Sequence, residues 1–112
     1  MSKRSETLLL DDIREAIGKI REYTSGLDRE GFVSSGMAAD AVVRNIEIIG
    51  EAANRLPEEF ASLHPEIEWR KIVGLRHRIV HHYFGVDLDI IWTIIRNDLP
   101  ILEKWLTSQF TV

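Results

Sequence analysis

The sequence predicts an all-α fold, an up-and-down bundle of four long helices plus one short helix, joined by short loops. Apolar residues recur at spacings of three and four along most of the chain, which is the period of an amphipathic helix. No segment alternates apolar and polar residues as a half-buried strand does. Gly26, Pro57, Pro65 and Gly85 separate the periodic segments. The 112 residues are enough for one core, so a single domain over residues 1–112 is expected.

The first two long helices are predicted over about residues 7–25 and 37–55, with Gly26 ending the first. The segment 27–36 between them is predicted as a loop or a short broken helix. On the second helix Ile48 lies among charged residues, which hints at a partner surface. The apolar stripes that define the two helices are Leu10, Ile13, Ala16, Ile17, Ile20 and Tyr23, and Ala39, Val42, Val43, Ile46, Ile49, Ala53 and Leu56.

The second half of the chain is predicted to hold a short helix and two further long ones. Pro57 suits the first position of a short helix over residues 57–63. A third long helix is expected over about residues 68–84, ending at Gly85. The last is expected from the cap residue Asp87 to about residue 107, with a kink near Arg96 caused by Pro100.

Charge is distributed unevenly. The net charge of −4 argues against a protein that coats nucleic acid through its overall charge. Residues 69–86 nevertheless carry four basic side chains and no acidic one, and all four histidines fall within residues 64–82. Such a basic, histidine-rich patch suits recognition of one or a few phosphates. A solvated basic face without a ligand remains the alternative.

The composition also indicates the cellular compartment of the protein. The chain has no cysteine, which excludes a disulfide framework and a thiolate metal site. The apolar run 8–10 is too short for a signal-peptide core, and no stretch is long enough to span a membrane. A cytoplasmic protein without membrane contact is therefore expected.

Residues 76–83 read Arg-His-Arg-Ile-Val-His-His-Tyr and concentrate titratable groups on one helix. At about 100° per residue, Arg76 and Tyr83 project from an apolar stripe that includes Ile72 and Ile79. Desolvating an unpaired charge is costly, so Arg76 is expected to meet a carboxylate, a bound anion or a second chain. The alternative is a structural role, in which Arg76 pairs with an acid and Tyr83 packs with its hydroxyl on a backbone acceptor.

The spacing of Arg76, His81 and Tyr83 resembles the Arg-x4-His-x-Tyr motif of HepT-like toxins in the HEPN ribonuclease superfamily. Residues 44–52 and 83–87 also resemble this family, and the resemblance covers about residues 9–106. The residue after the arginine is often Asn in this group and is His77 here.

This resemblance implies a HEPN-like bundle that cleaves RNA without a metal or another cofactor. The neighbouring 2′-hydroxyl would attack the phosphate and leave a 2′,3′-cyclic phosphate. Arg76 and His81 would be the catalytic residues, and His77 and Arg78 would support them. HEPN ribonucleases generally pair two chains, so a homodimer through the motif helix is expected. Whether transfer RNA or messenger RNA is the target stays open.

The resemblance also implies a toxin–antitoxin pair. HepT-like toxins are encoded beside nucleotidyltransferase antitoxins of the MntA type, which transfer AMP to the tyrosine of the motif. Tyr83 is the corresponding residue here, and a bulky, charged nucleotide on it would block RNA.

Two other classes of site remain possible at the level of the sequence. His77 and His81 are four residues apart, the helical spacing that presents two imidazoles to one metal ion. No third ligand lies nearby, His82 points elsewhere, and the adjacent arginines repel a cation, so no metal site is expected. The other alternative is a non-catalytic helical adaptor or nucleotide-binding subunit of a nucleotidyltransferase pair.

Overall fold

The structure is a computed structural model that describes residues 4–83 and 87–110, without the side chains of residues 80–83 and 110. Throughout these ranges the secondary structure is helical, with no strand, which confirms the predicted all-α fold class. The elements are α1 (Glu6–Thr24), α2 (Arg29–Val33), α3 (Gly36–Arg55), α4 (Glu58–Leu63), α5 (Trp69–Val73), α6 (Leu75–Tyr83), α7 (Leu88–Thr93), a π-helical segment (Ile94–Asp98) and α8 (Leu99–Phe110).

Helices α1 and α3 pack against each other along their length and form the centre of the core. Each begins at a serine whose hydroxyl accepts a hydrogen bond from a backbone N–H, Ser5 from Leu8 and Ser35 from Ala38. Gly26 follows α1 with a φ of 77°, as expected of a helix stop. Tyr23 was predicted on the buried stripe but is 40% exposed, because it lies at the edge of that stripe.

The segment predicted as a loop or a broken helix forms the short helix α2. Asp28 caps it by accepting a hydrogen bond from the Gly31 N–H at 2.8 Å. Phe32 is fully buried and stacks on Trp92 of α7, with ring centroids 5.4 Å apart. A tertiary contact therefore holds this segment against the last part of the chain.

The prediction of one long helix over residues 68–84 is wrong, because the chain breaks at Gly74 into α5 and α6. The Gly74 N–H still donates to the Arg70 carbonyl, and its own carbonyl accepts from the Arg78 N–H, each at 3.0 Å. Glycine weakens a helix interior, and the break lets α5 and α6 each pack on α3. The predicted stop at Gly85 lies outside the described residues.

The last helix departs from α-helical geometry where Pro100 predicted a kink. Residues Ile94–Asp98 form a π-helical segment, and the Leu99 N–H donates to the carbonyl of Ile94, five residues back. Proline lacks an N–H and crowds the carbonyl four residues before it, here that of Arg96. Asp87 caps the start of this region, as predicted, by accepting from the Ile90 N–H. No helix in the described part of the chain is long and apolar enough to cross a membrane.

Candidate active site

Helix α6 carries the motif and lies very close to α3 at Gly50. A Cβ atom added at Gly50 would lie 3.3 Å from the Cβ of Arg76 and 3.4 Å from its backbone nitrogen. Gly50 is buried, so no larger side chain fits there without a shift of α6. The absence of a side chain at this position sets how closely Arg76 approaches α3.

Arg76 meets a carboxylate, one of the three partners that the sequence left open, on Glu51 of α3. The distance between Arg76 Nη1 and Glu51 Oε2 is 3.5 Å, at the long end of hydrogen bonding. The Arg76 side chain is 60% exposed and that of Glu51 is 45% exposed. Arg76 is therefore exposed although it lies on the same stripe as Ile72 and Ile79, which are both buried. A pair this exposed is weak and can exchange partners.

Arg76 forms the boundary between two open grooves. The first has a volume of about 430 Å³ and runs between α1 and α3. The second has a volume of about 380 Å³ and lies between α3 and α6. Glu51 and Arg76 line both grooves. The other residues of the first groove are Leu9, Asp12, Arg44, Glu47, Ile48, Ala52 and Arg55. Those of the second groove are Gly50, Asn54, Val73 and His77.

The two basic residues of α6 point to different neighbours. Arg78 Nη1 lies 3.5 Å from Asp98 Oδ2, and Lys71 Nζ lies 3.0 Å from Asp98 Oδ1. The Asp98 side chain is 13% exposed, so this network ties α5 and α6 to the π-helical segment. Arg76 and Arg78 are about 200° apart around the helix, and the structure does not bring them together. A supporting role for Arg78 stays a prediction.

The backbones of His81 and Tyr83 lie in α6, but their side chains are outside the described part of the structure. Helical geometry places His81 one turn from His77, which lines the second groove beside Arg76. Among the described residues no group of three or more histidine, aspartate or glutamate side chains could hold a metal ion. Because the His81 side chain lies outside the described part of the structure, the paired-histidine hypothesis stays untested.

Sequence reasoning did not identify Gly50 and Glu51 as site residues. Both lie in the segment 44–52 that resembles the HepT-like family, and Glu51 falls on the polar face of its helix. Ile48, predicted as an exposed apolar residue, is half-buried at the wall of the first groove. Only the contact between α3 and α6 shows that Gly50 and Glu51 adjoin Arg76.

The fold and the site together define a class: a small all-α domain in which an exposed arginine, on a histidine-bearing helix, borders an open groove. An exposed guanidinium with a weakly held partner can bind a phosphate through planar, paired donors. A histidine one or two turns away can accept or donate a proton near neutral pH.

Comparison with known proteins narrows this class. Residues 13–108 match the family described as Ribonuclease HepT-like. The chain is 43% identical over 101 residues to a protein of Thermococcus cleftensis named "Probable ribonuclease HepT", covering 90% of this chain and 92% of that protein. A protein of Methanocaldococcus jannaschii named as a putative RNase is 38% identical over 104 residues, covering 93% and 95%. Another from Caldanaerobacter subterraneus, also named as a putative RNase, is 40% identical over 95 residues, covering 85% of each chain. No solved structure matches the chain.

The chain therefore belongs to the HepT-like ribonuclease family. This membership confirms the family that the motif predicted, and with it the ribonuclease class of enzyme.

Proposed function

We propose that the protein is the toxin of a toxin–antitoxin pair and that it cleaves RNA in the cytoplasm without a metal ion. The observation that carries this proposal is the position of Arg76, exposed at the boundary of two open grooves and weakly held by Glu51. Membership of the HepT-like ribonuclease family supports RNA as the substrate.

The proposed reaction is transesterification within the RNA strand. A base removes the proton of the 2′-hydroxyl, whose oxygen attacks the adjacent phosphorus. The bond to the 5′-oxygen breaks, that oxygen takes up a proton, and a 2′,3′-cyclic phosphate remains. His81 is the proposed acid or base, since imidazole exchanges protons near neutral pH. Arg76 stabilises the charge that develops on the phosphate oxygens, and His77 orients His81 or contacts the phosphate.

Two groups per chain are few for such a reaction, so the proposed active form is a homodimer in which two motif helices face one cleft. An interface beside α6 agrees with the open grooves on both sides of Arg76. Light scattering at micromolar concentration tests this form: a dimer is expected, and a monomer is incompatible with it.

Tyr83 is the proposed site of neutralisation. Its phenolic oxygen attacks the α-phosphate of ATP on a nucleotidyltransferase antitoxin, which transfers AMP and releases pyrophosphate. A charged nucleotide two residues from His81 blocks RNA by charge and volume. Incubation with ATP and a cognate antitoxin should add the mass of AMP to Tyr83, while Tyr83→Phe should stay unmodified. If the mass of the wild-type protein is unchanged after incubation, transfer of AMP to Tyr83 is excluded.

The ribonuclease activity is tested with variants of the two proposed catalytic residues. Purified wild type should cleave single-stranded RNA or transfer RNA, whereas Arg76→Ala and His81→Ala should be folded and inactive. Arg76→Lys keeps the charge but loses the paired donors, so it should recover part of the activity. If no RNA is cleaved by folded wild type free of AMP, the alternative of a non-catalytic adaptor replaces this proposal.

A further inference from the structure

The second groove contains an amide side chain that the proposed reaction does not use, that of Asn54 on α3. It is exposed, and it has no hydrogen-bond partner among the residues whose side chains the structure describes. Asn45 on the same helix is buried instead and donates to the Ala41 carbonyl at 2.9 Å. Asparagine is a poorer helix former than alanine, so helix stability does not favour it at position 54. The Asn54 amide is therefore available to a ligand in the groove.

Asn54 lies beside the proposed phosphate site. It follows Glu51 by three residues, which places it about 4.5 Å further along α3 and about 60° away around the helix axis. Glu51 is the residue that contacts Arg76, and all three side chains line the second groove. In a nucleotide the ribose separates the base from its phosphate by several ångströms. A nucleotide whose phosphate lies on Arg76 can therefore place its base at Asn54.

The other walls of the second groove suit a flat base. Val73, at the end of α5, is half-buried and gives the groove an apolar surface. His77 is exposed and lines the same groove, and unpaired bases of RNA stack on rings of this kind. The volume of about 380 Å³ lies within the range of small-ligand pockets. The groove thus combines stacking surfaces with a polar group that can bind the edge of a base.

The first groove suits a base less well, because its charged side chains already have partners. Asp12 Oδ2 lies 2.6 Å from Arg4 Nε, and Glu51 Oε1 lies 3.3 Å from Arg55 Nε. A base in this groove would have to displace these ion pairs before it could form hydrogen bonds with their members. Asn54 lines the second groove and not the first.

We propose that the second groove is a base subsite, in which Asn54 binds the base of an unpaired nucleotide next to the cleaved phosphate and selects adenine. The amide presents an N–H donor and an oxygen acceptor side by side. Adenine carries the matching acceptor and donor at N7 and N6, and asparagine commonly forms both hydrogen bonds with it. The subsite rests on the proposed ribonuclease function, because it requires RNA with a phosphate at Arg76.

Replacing the Asn54 amide tests the subsite through its base preference. Asn54→Ala should lower cleavage next to adenine on the order of tenfold, the discrimination that one such pair of hydrogen bonds gives. Cleavage next to uracil should stay nearly unchanged. Asn54→Asp keeps the shape but only accepts hydrogen bonds, so the preference should move to guanine, whose N1–H and N2–H are adjacent donors. Competitive cleavage of oligouridine strands that carry a single A, G or C measures these ratios.

Asn97→Ala and Asn97→Asp are the matched controls. Asn97 is an exposed asparagine of the π-helical segment and lines neither groove. Both variants should keep the wild-type ratios. Fluorescence anisotropy with the same strands, in the inactive His81→Ala background, should show the same order of bases in binding. Circular dichroism verifies that each variant is folded.

The outcomes separate this proposal from the proposed function. Cleavage that is equal next to all bases, or an adenine preference that persists in Asn54→Ala, overturns the subsite and leaves the ribonuclease proposal standing. A loss in Asn54→Ala that is uniform across the bases also overturns base selection. Binding that favours adenine through Asn54, without cleavage by wild type, supports the subsite and contradicts only the ribonuclease proposal. If wild type neither binds nor cleaves any of the strands, both proposals are overturned.

Discussion

Arg76 Nη1 lies 3.5 Å from Glu51 Oε2, so the arginine proposed to bind the substrate phosphate already has a carboxylate neighbour on another helix. Both side chains are well exposed, which keeps the pair weak and exchangeable. The contact depends on Gly50, which lets α6 lie close enough to α3 for the two groups to meet. If Arg76 binds the phosphate as proposed, Glu51 competes with that phosphate, and RNA binding requires Arg76 to leave Glu51.

Removing the charge of Glu51 should therefore strengthen RNA binding. In the inactive His81→Ala background, Glu51→Gln should tighten RNA binding by roughly two- to fivefold, the worth of an exposed ion pair. Fluorescence anisotropy with labelled RNA measures it, at a protein concentration where both proteins have the same oligomeric state. Glu22→Gln on the outer face of α1 is the control. Unchanged or weaker binding would show that Glu51 does not compete with the phosphate.

Adding a side chain at Gly50, where α3 and α6 lie close together, should impair RNA cleavage more than it impairs folding. In Gly50→Ala the added Cβ lies 3.3 Å from the Arg76 Cβ, so α6 has to shift by a few tenths of an ångström. Crowding costs about 1 kcal/mol or more, and the better helix propensity of alanine offsets up to about 1 kcal/mol of it. Kinetics and thermal melting measured together should thus show little change in stability and a clear loss of kcat/KM.

Gly18→Ala is the matched control for Gly50→Ala. Gly18 is a helical glycine of α1 with open space around its Cβ position. This variant should gain up to about 1 kcal/mol of stability and keep full activity. Equal activity in the two alanine variants would mean that the spacing of α3 and α6 does not position Arg76.

Arg78 should matter for stability and little for cleavage. Its guanidinium, like the Lys71 ammonium, contacts Asp98 on the side of α6 away from Arg76. Loss of these partly exposed pairs in Asp98→Asn, or of one of them in Arg78→Ala, should lower the free energy of unfolding by about 1 kcal/mol. Denaturant unfolding and RNA cleavage are the measurements. A loss of cleavage in Arg78→Ala as large as in Arg76→Ala would restore the supporting role that the motif predicted.

The hydrogen bond between Glu66 and Trp105 should make the fold less stable at acid pH. The pKa of Glu66 is lowered from its ordinary value of 4.5, first by a hydrogen bond from its own backbone N–H and then by one from the Trp105 indole. A carboxylate with a lowered pKa stabilises the fold above the pKa of the unfolded chain. That contribution is lost as the pH falls through the lower value. Melting followed by tryptophan fluorescence should show this loss below about pH 4.5, and less of it in Glu66→Gln than in the exposed control Glu58→Gln.

The sequence predicts those parts of the fold in which one apolar stripe decides the structure. Helices α1 and α3 follow their stripes closely, and Asp87 caps α7 as expected. The break at Gly74 is hidden, because Ile72 and Ile79 keep the helical period across it and both are buried. Helix α2 depends on the burial of Phe32 against Trp92, a contact between segments far apart in the chain.

The sequence identifies the motif residues of the candidate site, but it does not identify the residues of α3 that surround Arg76. The angles of residues around a helix place Arg76 beside apolar residues, but they do not show which side of the helix a neighbouring helix covers. In the structure the neighbouring helices leave Arg76 uncovered, and its side chain is exposed at the groove. Gly50 and Glu51 enter the site through the crossing of α3 and α6, which no local pattern encodes.

The chemistry of the cleaved ends tests the central claim most directly. Purified protein free of AMP, incubated with single-stranded RNA in excess chelator, should leave 2′,3′-cyclic phosphate ends. The same reaction with Arg76→Ala or His81→Ala should leave the RNA intact. Cleavage that stops in chelator, or fragments that carry 5′-phosphate ends, would contradict attack by the 2′-hydroxyl and the roles assigned to Arg76 and His81.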